Sequence, residues 1–362
     1  MSAARLARGA DVALATVAAP ATAFALHLGV LTLAAIKHRR SGRYPRALPA
    51  LPLPTLVVVV PAHNEQAGIT ATLASLLALD YPAELRRVLV VADNCTDATA
   101  ERAAATGADV LVRTDAVHRG KGYALGAGFR EALLNPAVAA VVVVDADTLV
   151  EPNLLTSAAA ALSRGERAMQ ADYRVRDPLQ SWRTTLMEIA FSAMHTVRNE
   201  GREHLNLSVG LRGNGMVFSR EALDACPYSS FGLVEDIEYA GGLAAAGIRV
   251  AYLADSTVRG DMPASSEAAS TQRVRWEEGR RRLRKQAVGP LLSAAVRHRS
   301  VMMADTAIEL GGPPLARVAL PLVGTAVAAF GLGRYFHITR WSAAVAGVGL
   351  ASLTPEPRAG TA

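Results

Sequence analysis

The sequence LVVVVPAHNE, residues 56–65, decides the fold class of this protein. An unbroken run of β-branched residues is typical of a strand that is buried on both faces of a parallel sheet. Similar runs return at residues 88–92 (VLVVA) and 140–144 (AVVVV), and helix-like stretches at 68–79 and 97–106 lie between the runs. This alternation predicts an α/β fold with a doubly wound, mostly parallel sheet and helices on both faces.

Composition excludes several other classes of protein. The chain has 362 residues, of which 51% are hydrophobic and 19% charged, so a disordered chain is excluded and a large core is expected. The two cysteines, Cys95 and Cys226, are too few to staple a chain of this length. The mean hydropathy of +0.21 is high for a soluble enzyme and indicates membrane segments.

The first apolar segment, residues 12–36, carries no charge and exceeds the roughly 20 residues that cross a bilayer core as a helix. Five basic residues and no acid follow it between residues 37 and 46. The positive-inside rule therefore predicts a cell-membrane protein with its N-terminus outside and everything after residue 36 facing the cytoplasm. A cleaved signal peptide is the alternative, although the apolar run is longer than the usual h-region.

The composition along the chain predicts seven segments. Residues 315–333 could span or lie in a membrane, whereas the apolar stretch 341–353 is short for a span. The segments are an N-terminal tail (1–10), a transmembrane helix (11–36), a basic and Pro-rich linker (37–54), the catalytic domain (55–272), basic amphipathic helices in pieces (273–300), a C-terminal membrane-associated region (301–353) and a disordered tail (354–362).

The formal charge of +6 is concentrated in two of these segments. Residues 273–299 hold nine Lys or Arg and two Glu, a net of +7, and residues 37–46 add +5, so the rest of the chain carries −6. Both basic segments adjoin apolar ones, which predicts contact with anionic membrane lipids. The basic run lacks interleaved aromatic residues, so no nucleic-acid partner is expected.

Polar residues follow each predicted strand, at the edge where such sheets bind ligands. Asp145 and Asp147 stand at i and i+2 after the third strand, which suits Mg²⁺ or Mn²⁺ on a phosphorylated substrate, or a turn and cap pair. Asp93 ends the second strand, where its carboxylate can accept a hydrogen bond from a nucleobase. The alternative there is an Asx turn with a helix N-cap at Thr96 or Asp97.

Three further clusters carry candidate residues. Lys121 lies between two glycines at a helix start and can contact a diphosphate, or belong to an ordinary loop and cap. Glu235 and Asp236 are acids among apolar residues, where one can be a general base with a raised pKa; a helix N-terminus is the rival interpretation. Gly213-Asn214 indicates a tight backbone approach in a pocket, or a hairpin turn.

The last cluster begins the basic region. Gln272, Arg275 and Trp276 form the pattern Gln-x-x-Arg-Trp, which can present a flat face with hydrogen-bond donors to sugars and pyrophosphates. The alternative is an amphipathic helix on a membrane surface, and both interpretations can hold together.

In combination these clusters resemble glycosyltransferase family 2, in the branch that includes cellulose, chitin and hyaluronan synthases. The resemblance covers roughly residues 55–280 and rests on the order of Pro61-Ala62-His63-Asn64-Glu65, Asp93, Gly120-Lys121-Gly122, Asp145-Ala146-Asp147, Glu235-Asp236 and Gln272-x-x-Arg275-Trp276. The sequence departs from the family pattern at Asn-Cys-Thr after Asp93, at Val234, where Thr is common, and in its short C-terminal membrane region.

The resemblance implies a GT-A fold, a nucleotide-diphosphate sugar donor, usually with uracil, and inversion at the anomeric carbon. It implies that Asp93 binds the base, that Asp145 and Asp147 hold the metal, and that Asp236 deprotonates the acceptor. The remaining substrate-binding residues that it implies are Pro61, His63, Asn64, Glu65, Lys121, Asp145, Gly213, Asn214, Glu235, Gln272, Arg275 and Trp276.

The sequence therefore predicts a membrane-anchored inverting hexosyltransferase that acts on a saccharide or lipid-linked acceptor, with polysaccharide synthesis as one outcome. Two alternatives stay open. One is transfer of a single sugar to a polyprenyl phosphate, against which the Gln-x-x-Arg-Trp motif argues. The other is an inactive membrane scaffold of the same fold, against which the intact acids argue.

Overall fold

The chain forms two compact units, Met1–Lys37 with Gly311–Ala362 and His38–Leu310, and each is described by itself. The structure is a computed structural model, and the residues that it describes are 3–41, 49–262, 266–336 and 341–353. The predicted disordered tail and residues 42–48 of the predicted linker lie outside the described residues.

The larger unit is built on one eight-stranded mixed sheet. Its strand order is β3-β2-β1-β4-β7-β6-β8-β5. The strands are β1 (Thr55–Ala62), β2 (Arg86–Asp93), β3 (Asp109–Arg113), β4 (Val138–Val143), β5 (Thr148–Val150), β6 (Ala168–Val175), β7 (Met216–Ser219) and β8 (Val250–Gly260).

Thirteen α-helices are described, together with a 3₁₀ turn at Ala83–Leu85 and a π-helix at Ser192–Val197. The helices are α1 (Ala3–Arg40), α2 (Ile69–Leu77), α3 (Thr99–Ala104), α4 (Lys121–Leu133), α5 (Leu154–Ser163), α6 (Trp182–Phe191), α7 (Arg198–His204), α8 (Arg220–Ala225), α9 (Glu235–Ala245), α10 (Ser266–His298), α11 (Val301–Gly311), α12 (Leu315–Phe336) and α13 (Trp341–Leu353).

The predicted α/β architecture is confirmed in the first half of the sheet. Strand β1 pairs in parallel with β2 and β4, and β2 pairs in parallel with β3. Both faces of β1 are covered, because Val58 and Val60 belong to one apolar cluster and Val57 and Val59 to the other. The β-branched run thus forms a central strand buried on both faces, as the pattern predicts.

The strand order reverses between β1 and β4, and this reversal positions the site. The chain runs outward from β1 to β2 and β3, then returns through α4 to β4 on the other side of β1. The loops that follow β1 and β4 therefore diverge and leave a crevice beyond the carboxyl ends of the strands. Strand β7 pairs antiparallel with β4, so the loop that precedes β7 reaches the same edge.

The basic segment predicted as several helices is one helix, α10, so that prediction is wrong. Its C-terminal part packs with α9 and α11 in an apolar cluster that contains Ala244, Leu291, Ala295, Met303 and Ala307. Tertiary packing of this apolar face stabilises a continuous helix despite the charged residues around it. Helix α11 belongs to the compact unit of the sheet, up to Leu310.

The smaller unit consists of α1, α12 and α13, with small and polar residues inside it. Ser342 Oγ donates a hydrogen bond to Asp11 Oδ1 at 2.5 Å, and Thr22 Oγ1 donates to the Val345 carbonyl at 3.0 Å. Val318 and Leu322 are buried inside the unit, whereas other large apolar side chains point outward; Val17 is 64% exposed and Phe330 74%. Within the described residues, one helix, Arg8–Arg40, is long and apolar enough to cross a membrane.

Candidate functional site

The site lies where the polar residues after β1, β2 and β4 meet the loop before β7 and the start of α9. Lys121, the first residue of α4, is at its centre. Its Nζ donates a hydrogen bond to the Gly213 carbonyl at 2.8 Å, forms an ion pair with Asp145 Oδ1, and lies 3.9 Å from Glu235 Oε1. One ammonium group thus joins three segments that are far apart in sequence.

The glycines beside Lys121 have separate structural reasons. Gly120 has φ of +119°, a backbone conformation that disfavours L side chains. A Cβ on Gly122 would collide with the Ser230 carbonyl oxygen. The Gly-Lys-Gly sequence therefore lets α4 begin close to the segment before α9, with Lys121 directed into the site.

Five carboxylates of the site, here called the acid cluster, interact electrostatically with one another: Glu65, Asp145, Asp147, Glu235 and Asp236. Burial, and after it the charge of Asp145, raises the pKa of Asp147 to about 6. Burial and then Asp147 and Asp145 raise the pKa of Glu65. Although burial opposes it, attraction to Asp145 and Glu235 raises the pKa of Lys121. The carboxylates repel one another because they carry the same charge, and one lysine cannot neutralise all five of them.

This donor set fits a hard divalent cation. Mg²⁺ and Mn²⁺ favour carboxylate oxygens and are held by one or two of them together with substrate phosphates. Asp145 and Asp147 supply such oxygens beside a crevice that is open to a ligand. Within the described residues, no three His, Cys, Asp or Glu side chains form a metal-binding group.

Glu235 and Asp236 open α9, which agrees with the helix N-terminus interpretation. They are nevertheless more than solvated end residues. Burial raises the pKa of Glu235 to about 7, opposed by Lys121, and burial also raises the pKa of Asp236. A carboxylate whose pKa approaches neutrality can accept a proton at physiological pH. The helix position and the capacity to act as a base are compatible.

The segment Gly213-Asn214-Gly215 makes a tight approach and does not form the alternative hairpin turn. Both glycines have positive φ, +77° and +68°. The Gly215 N–H donates to the Val143 carbonyl at 2.9 Å, and the Asp145 N–H donates to Asn214 Oδ1 at 3.2 Å. Asn214 is fully buried and binds the loop after β4, so its side chain positions Asp145.

At the end of β2, Asp93 is buried and already has a cationic partner. Arg113 Nη1 donates to Asp93 Oδ1 at 2.6 Å, and the same guanidinium lies 5.8 Å from the centre of the Tyr123 ring. Tyr123 stacks on Phe231 with ring centres 4.4 Å apart. The surroundings of Asp93 therefore combine a carboxylate, a guanidinium and aromatic surfaces. Asp97, in contrast, accepts from the Thr99 N–H at 3.0 Å, as an Asx turn requires.

The residues after β1 hold neighbouring loops together. His63 Nδ1 lies 2.7 Å from the Asp93 carbonyl oxygen, and Asn64 Oδ1 accepts from the Thr96 N–H at 2.8 Å. Asn64 has a left-handed backbone with φ of +57°. The Glu65 N–H donates to Thr99 Oγ1 at 2.8 Å. Pro61, half-buried in β1, precedes this linkage between the ends of β1 and β2.

The backbone of Gln272, Arg275 and Trp276 lies in α10, but their side chains lie outside the described residues. The structure therefore gives no side-chain contact for the Gln-x-x-Arg-Trp motif. The other predicted residues converge from four directions, in two groups: Asp145, Lys121, Gly213, Asn214, Glu235 and Asp236 around the ammonium group, and Asp93, His63 and Asn64 at the ends of β1 and β2.

Three residues near the site were not predicted from the sequence. Arg113 ends β3 and pairs with Asp93, and Tyr173 has its pKa raised by burial and by Asp145 and Asp147. Gln170 is fully buried, donates to the Asn214 carbonyl at 2.8 Å and accepts from the Arg212 N–H at 2.9 Å. A polar residue inside an apolar strand was the available signal for Gln170.

The sequence profile described as "Glycosyltransferase like family 2" matches residues 54–279. The chain belongs to this family. It is 26% identical over 238 residues to "Probable glucomannan 4-beta-mannosyltransferase 1" of Arabidopsis thaliana, a match that covers 62% of the chain and 43% of that relative. It is 24% identical over 236 residues to "Probable glycosyltransferase YdaM" of Bacillus subtilis (strain 168), which covers 63% of the chain and 55% of that relative.

The chain spans about half the length of these curated relatives. It also resembles the solved structure "Mannosyltransferase PcManGT from Pyrobaculum calidifontis in complex with GDP-Man and Mn2+". The TM-score is 0.57 and the identity 20%, and the match covers 93% of this chain and all of that chain. The sheet is therefore GT-A-like, as the resemblance implies.

Proposed function

We propose that this protein is a membrane-anchored inverting glycosyltransferase that transfers a hexose from a nucleoside diphosphate sugar to a hydroxyl of a saccharide acceptor. The observation that carries the proposal is the convergence of Asp145, Lys121 and Asp236 beside the crevice at the end of β4. These groups suit the three needs of such a transfer, which are a metal-bound diphosphate, a second cation beside it and a base.

Each described residue has one role in this proposal. Asp236 accepts the proton of the acceptor hydroxyl, while that oxygen forms a bond to the anomeric carbon of the donor. The bond from the anomeric carbon to the diphosphate breaks, and the electron pair leaves with the nucleoside diphosphate. Lys121 lies where it can stabilise this charge, and Asp93 would accept a hydrogen bond from the base.

Asp145 and Asp147 would hold Mg²⁺ or Mn²⁺, which when bound neutralises charge on the diphosphate. Manganese in the similar solved structure agrees with this choice of metal. The resemblance favours a uracil nucleotide, whereas several relatives are named as mannosyltransferases and that structure contains GDP-mannose. The donor is therefore tested across both bases.

The smaller unit supports membrane anchoring. Many of its outward side chains are apolar, and the Ser342 hydroxyl donates to the Asp11 carboxylate inside it, as is required where no water can hydrogen-bond these groups. The basic residues that follow the apolar part of α1 favour a cytoplasmic catalytic unit. The domain boundaries predicted from the sequence remain part of this proposal.

The direct test is a donor panel with the full chain in lipid nanodiscs. UDP-glucose, UDP-N-acetylglucosamine and GDP-mannose are each supplied with Mg²⁺, Mn²⁺ or a chelator, together with β-linked oligosaccharide acceptors. We expect metal-dependent release of one nucleoside diphosphate, and product length separates single transfer from polymer synthesis. If no donor releases nucleoside diphosphate and none binds in the presence of metal, the inactive-scaffold alternative is correct instead.

Membrane orientation is tested separately. In a background where Cys95 and Cys226 are replaced by Ser, Arg5→Cys should react with an impermeant maleimide on intact cells. Thr70→Cys, at an exposed position of the catalytic unit, should react only after lysis. The reverse pattern would contradict a cytoplasmic catalytic unit.

A further inference from the structure

Four arginines lie close together in the larger compact unit, near the loop that contains Gly213. This arginine cluster consists of Arg198 and Arg202 on α7, Arg212 before β7, and Arg280 on α10. Arg202 is 2% exposed; its Nε lies 2.7 Å from Asp305 Oδ2, and its Nη1 lies 3.2 Å from Glu309 Oε2. Arg212 Nη2 lies 2.9 Å from Glu309 Oε1. Two acids of α11 therefore face four arginines.

The positive charge of this cluster is not balanced by the described part of the chain. Within it, Arg198 and Arg280 have no carboxylate within ion-pair distance, and Arg212 Nε is buried without a hydrogen-bond partner. Burial, opposed by the attraction of Glu309 and assisted by repulsion from Arg202 and Arg212, lowers the pKa of Arg198 to about 10. Crowded cations with limited solvation favour an anion beside them.

A partly open cavity adjoins the cluster and leads toward the predicted base. Arg212, Arg280 and Glu309 line it, together with Ile237, the residue after Asp236. Arg280 is solvent accessible, so the cavity can be reached from outside. The charges of Arg212 and Arg280 also reach Asp236, since both lower its pKa against the effect of burial.

Helix α7 itself carries a second indication of a ligand, at the residue after Arg198. Asn199 is 1% exposed, and among the described residues neither its amide nitrogen nor its amide oxygen has a hydrogen-bond partner. The π-helix Ser192–Val197 ends one residue before Arg198, and such segments are frequent at functional sites. A buried amide without a partner beside excess positive charge is unusual in a purely structural core.

We propose that the arginine cluster is an anion-binding subsite for the acceptor, and that it recognises a phosphoryl group carried near the hydroxyl that Asp236 deprotonates. This inference rests on the proposed function, because it names the class of acceptor. Guanidinium groups bind phosphoryl oxygens with paired charge-assisted hydrogen bonds. Arg212 and Arg280, the two arginines that line the cavity, can bind a phosphoryl group in this way.

The loop geometry separates this subsite from the donor diphosphate. The Gly213 carbonyl accepts from Lys121, which also pairs with Asp145. The side chain of the preceding residue, Arg212, instead extends to Glu309 of α11. Gly213 thus contacts the cation at the donor site, whereas Arg212 belongs to the arginine cluster. A diphosphate beside Lys121 would therefore leave the arginine cluster available to the acceptor.

The test measures binding of inorganic phosphate to the full chain in nanodiscs by calorimetry at constant ionic strength. Titrations are made without nucleotide and with saturating Mg²⁺ and UDP or GDP. We expect phosphate to bind in both states, and Arg280→Gln to weaken it about tenfold or more, the effect of losing one charge-assisted hydrogen bond. Arg281→Gln is the matched control, since it removes the same charge from an exposed neighbouring position.

Competition between phosphate and the nucleoside diphosphate would overturn the proposal, because the cluster would then belong to the leaving group. Equal weakening by Arg280→Gln and Arg281→Gln, or no binding to the wild-type protein, would overturn it as well. Titration with a hexose phosphate and with vesicles that contain an isoprenyl diphosphate-linked hexose, both of which carry hydroxyls near a phosphoryl group, identifies a soluble or a lipid-linked source. Metal-dependent nucleotide binding, measured in the same samples, reports independently on the proposed function.

Discussion

The acid cluster and the arginine cluster lie in the same compact unit, and each gathers side chains of one charge. The acid cluster has too few cations to balance its carboxylates, and the arginine cluster has too few carboxylates to balance its guanidinium groups. The acids share Lys121, and burial and mutual repulsion raise the pKa of Asp147 and Glu65. The arginines share Asp305 and Glu309, and burial lowers the pKa of Arg198. Neither cluster is neutralised by the other, although Arg212 and Arg280 act electrostatically on Asp236. The comparison indicates that one cluster is prepared for a cation and the other for an anion.

The largest expected effect is the loss of the predicted base. Asp236→Asn keeps the shape of the side chain but cannot accept the acceptor proton, so we expect transfer to fall by about 10²–10⁴-fold. Metal-dependent nucleotide binding should persist, because Asp145, Asp147 and Lys121 are unchanged. Asp224→Asn, at an exposed position, is the control and should keep full activity. Normal turnover of Asp236→Asn would assign the base to another residue.

Substitutions in the arginine cluster should lower the free energy of unfolding most, whereas substitutions in the acid cluster should lower activity most. Arg202→Met removes a buried cation from Asp305 and Glu309, and we expect about 3–5 kcal/mol less free energy of unfolding. Denaturant titration measures this loss. Arg259→Met, which breaks an exposed pair with Glu151, should cost less than about 1 kcal/mol. Comparable losses in the two variants would show that the buried pairs contribute little.

A smaller and more specific effect is expected at Asp147. Asp147→Asn removes a carboxylate from the predicted metal site, and we expect about 10- to 100-fold weaker Mn²⁺ binding in the presence of nucleotide. Fluorescence or calorimetric titration of Mn²⁺ measures it, with Asp224→Asn again as the control. Phosphate binding at the arginine cluster should be unchanged. An unchanged Mn²⁺ affinity would mean that the metal is held elsewhere.

The sequence predicts the first half of the fold well, because strands that are buried on both faces need continuous apolar runs, as residues 56–60 provide. It also predicts which polar residues follow those strands, since parallel strands place their carboxyl ends at one edge. Strands β3 and β5 to β8 have shorter or interrupted apolar runs, and for that reason the sequence does not predict them.

The arginine cluster could not be predicted from sequence. Its members come from α7, the loop before β7 and α10, and tertiary packing alone brings them together with Glu309. Arg280 was interpreted as part of a membrane-facing charge run, because periodicity does not reveal which side of a helix meets another element. The sequence likewise gives only a weak indication of a role for Gln170, because it does not show that this residue of β6 contacts Asn214.

The smallest expected effect is a pH dependence of stability without metal. The pKa values of Asp147 and Glu235 are raised to about 6 and about 7, above their unfolded values near 4, so the folded state binds protons more tightly than the unfolded state. Their contribution to stability is fully present below pH 4 and is lost as pH rises through about 6 to 7. With a chelator present, we expect these groups to raise the Tm at pH 5 relative to pH 8, and Asp147→Asn to reduce the difference. Divalent metal with nucleotide should also reduce it, because a bound cation stabilises the ionised carboxylates. A Tm difference that neither the variant nor the metal changes would show that the acid cluster is already neutralised within the protein.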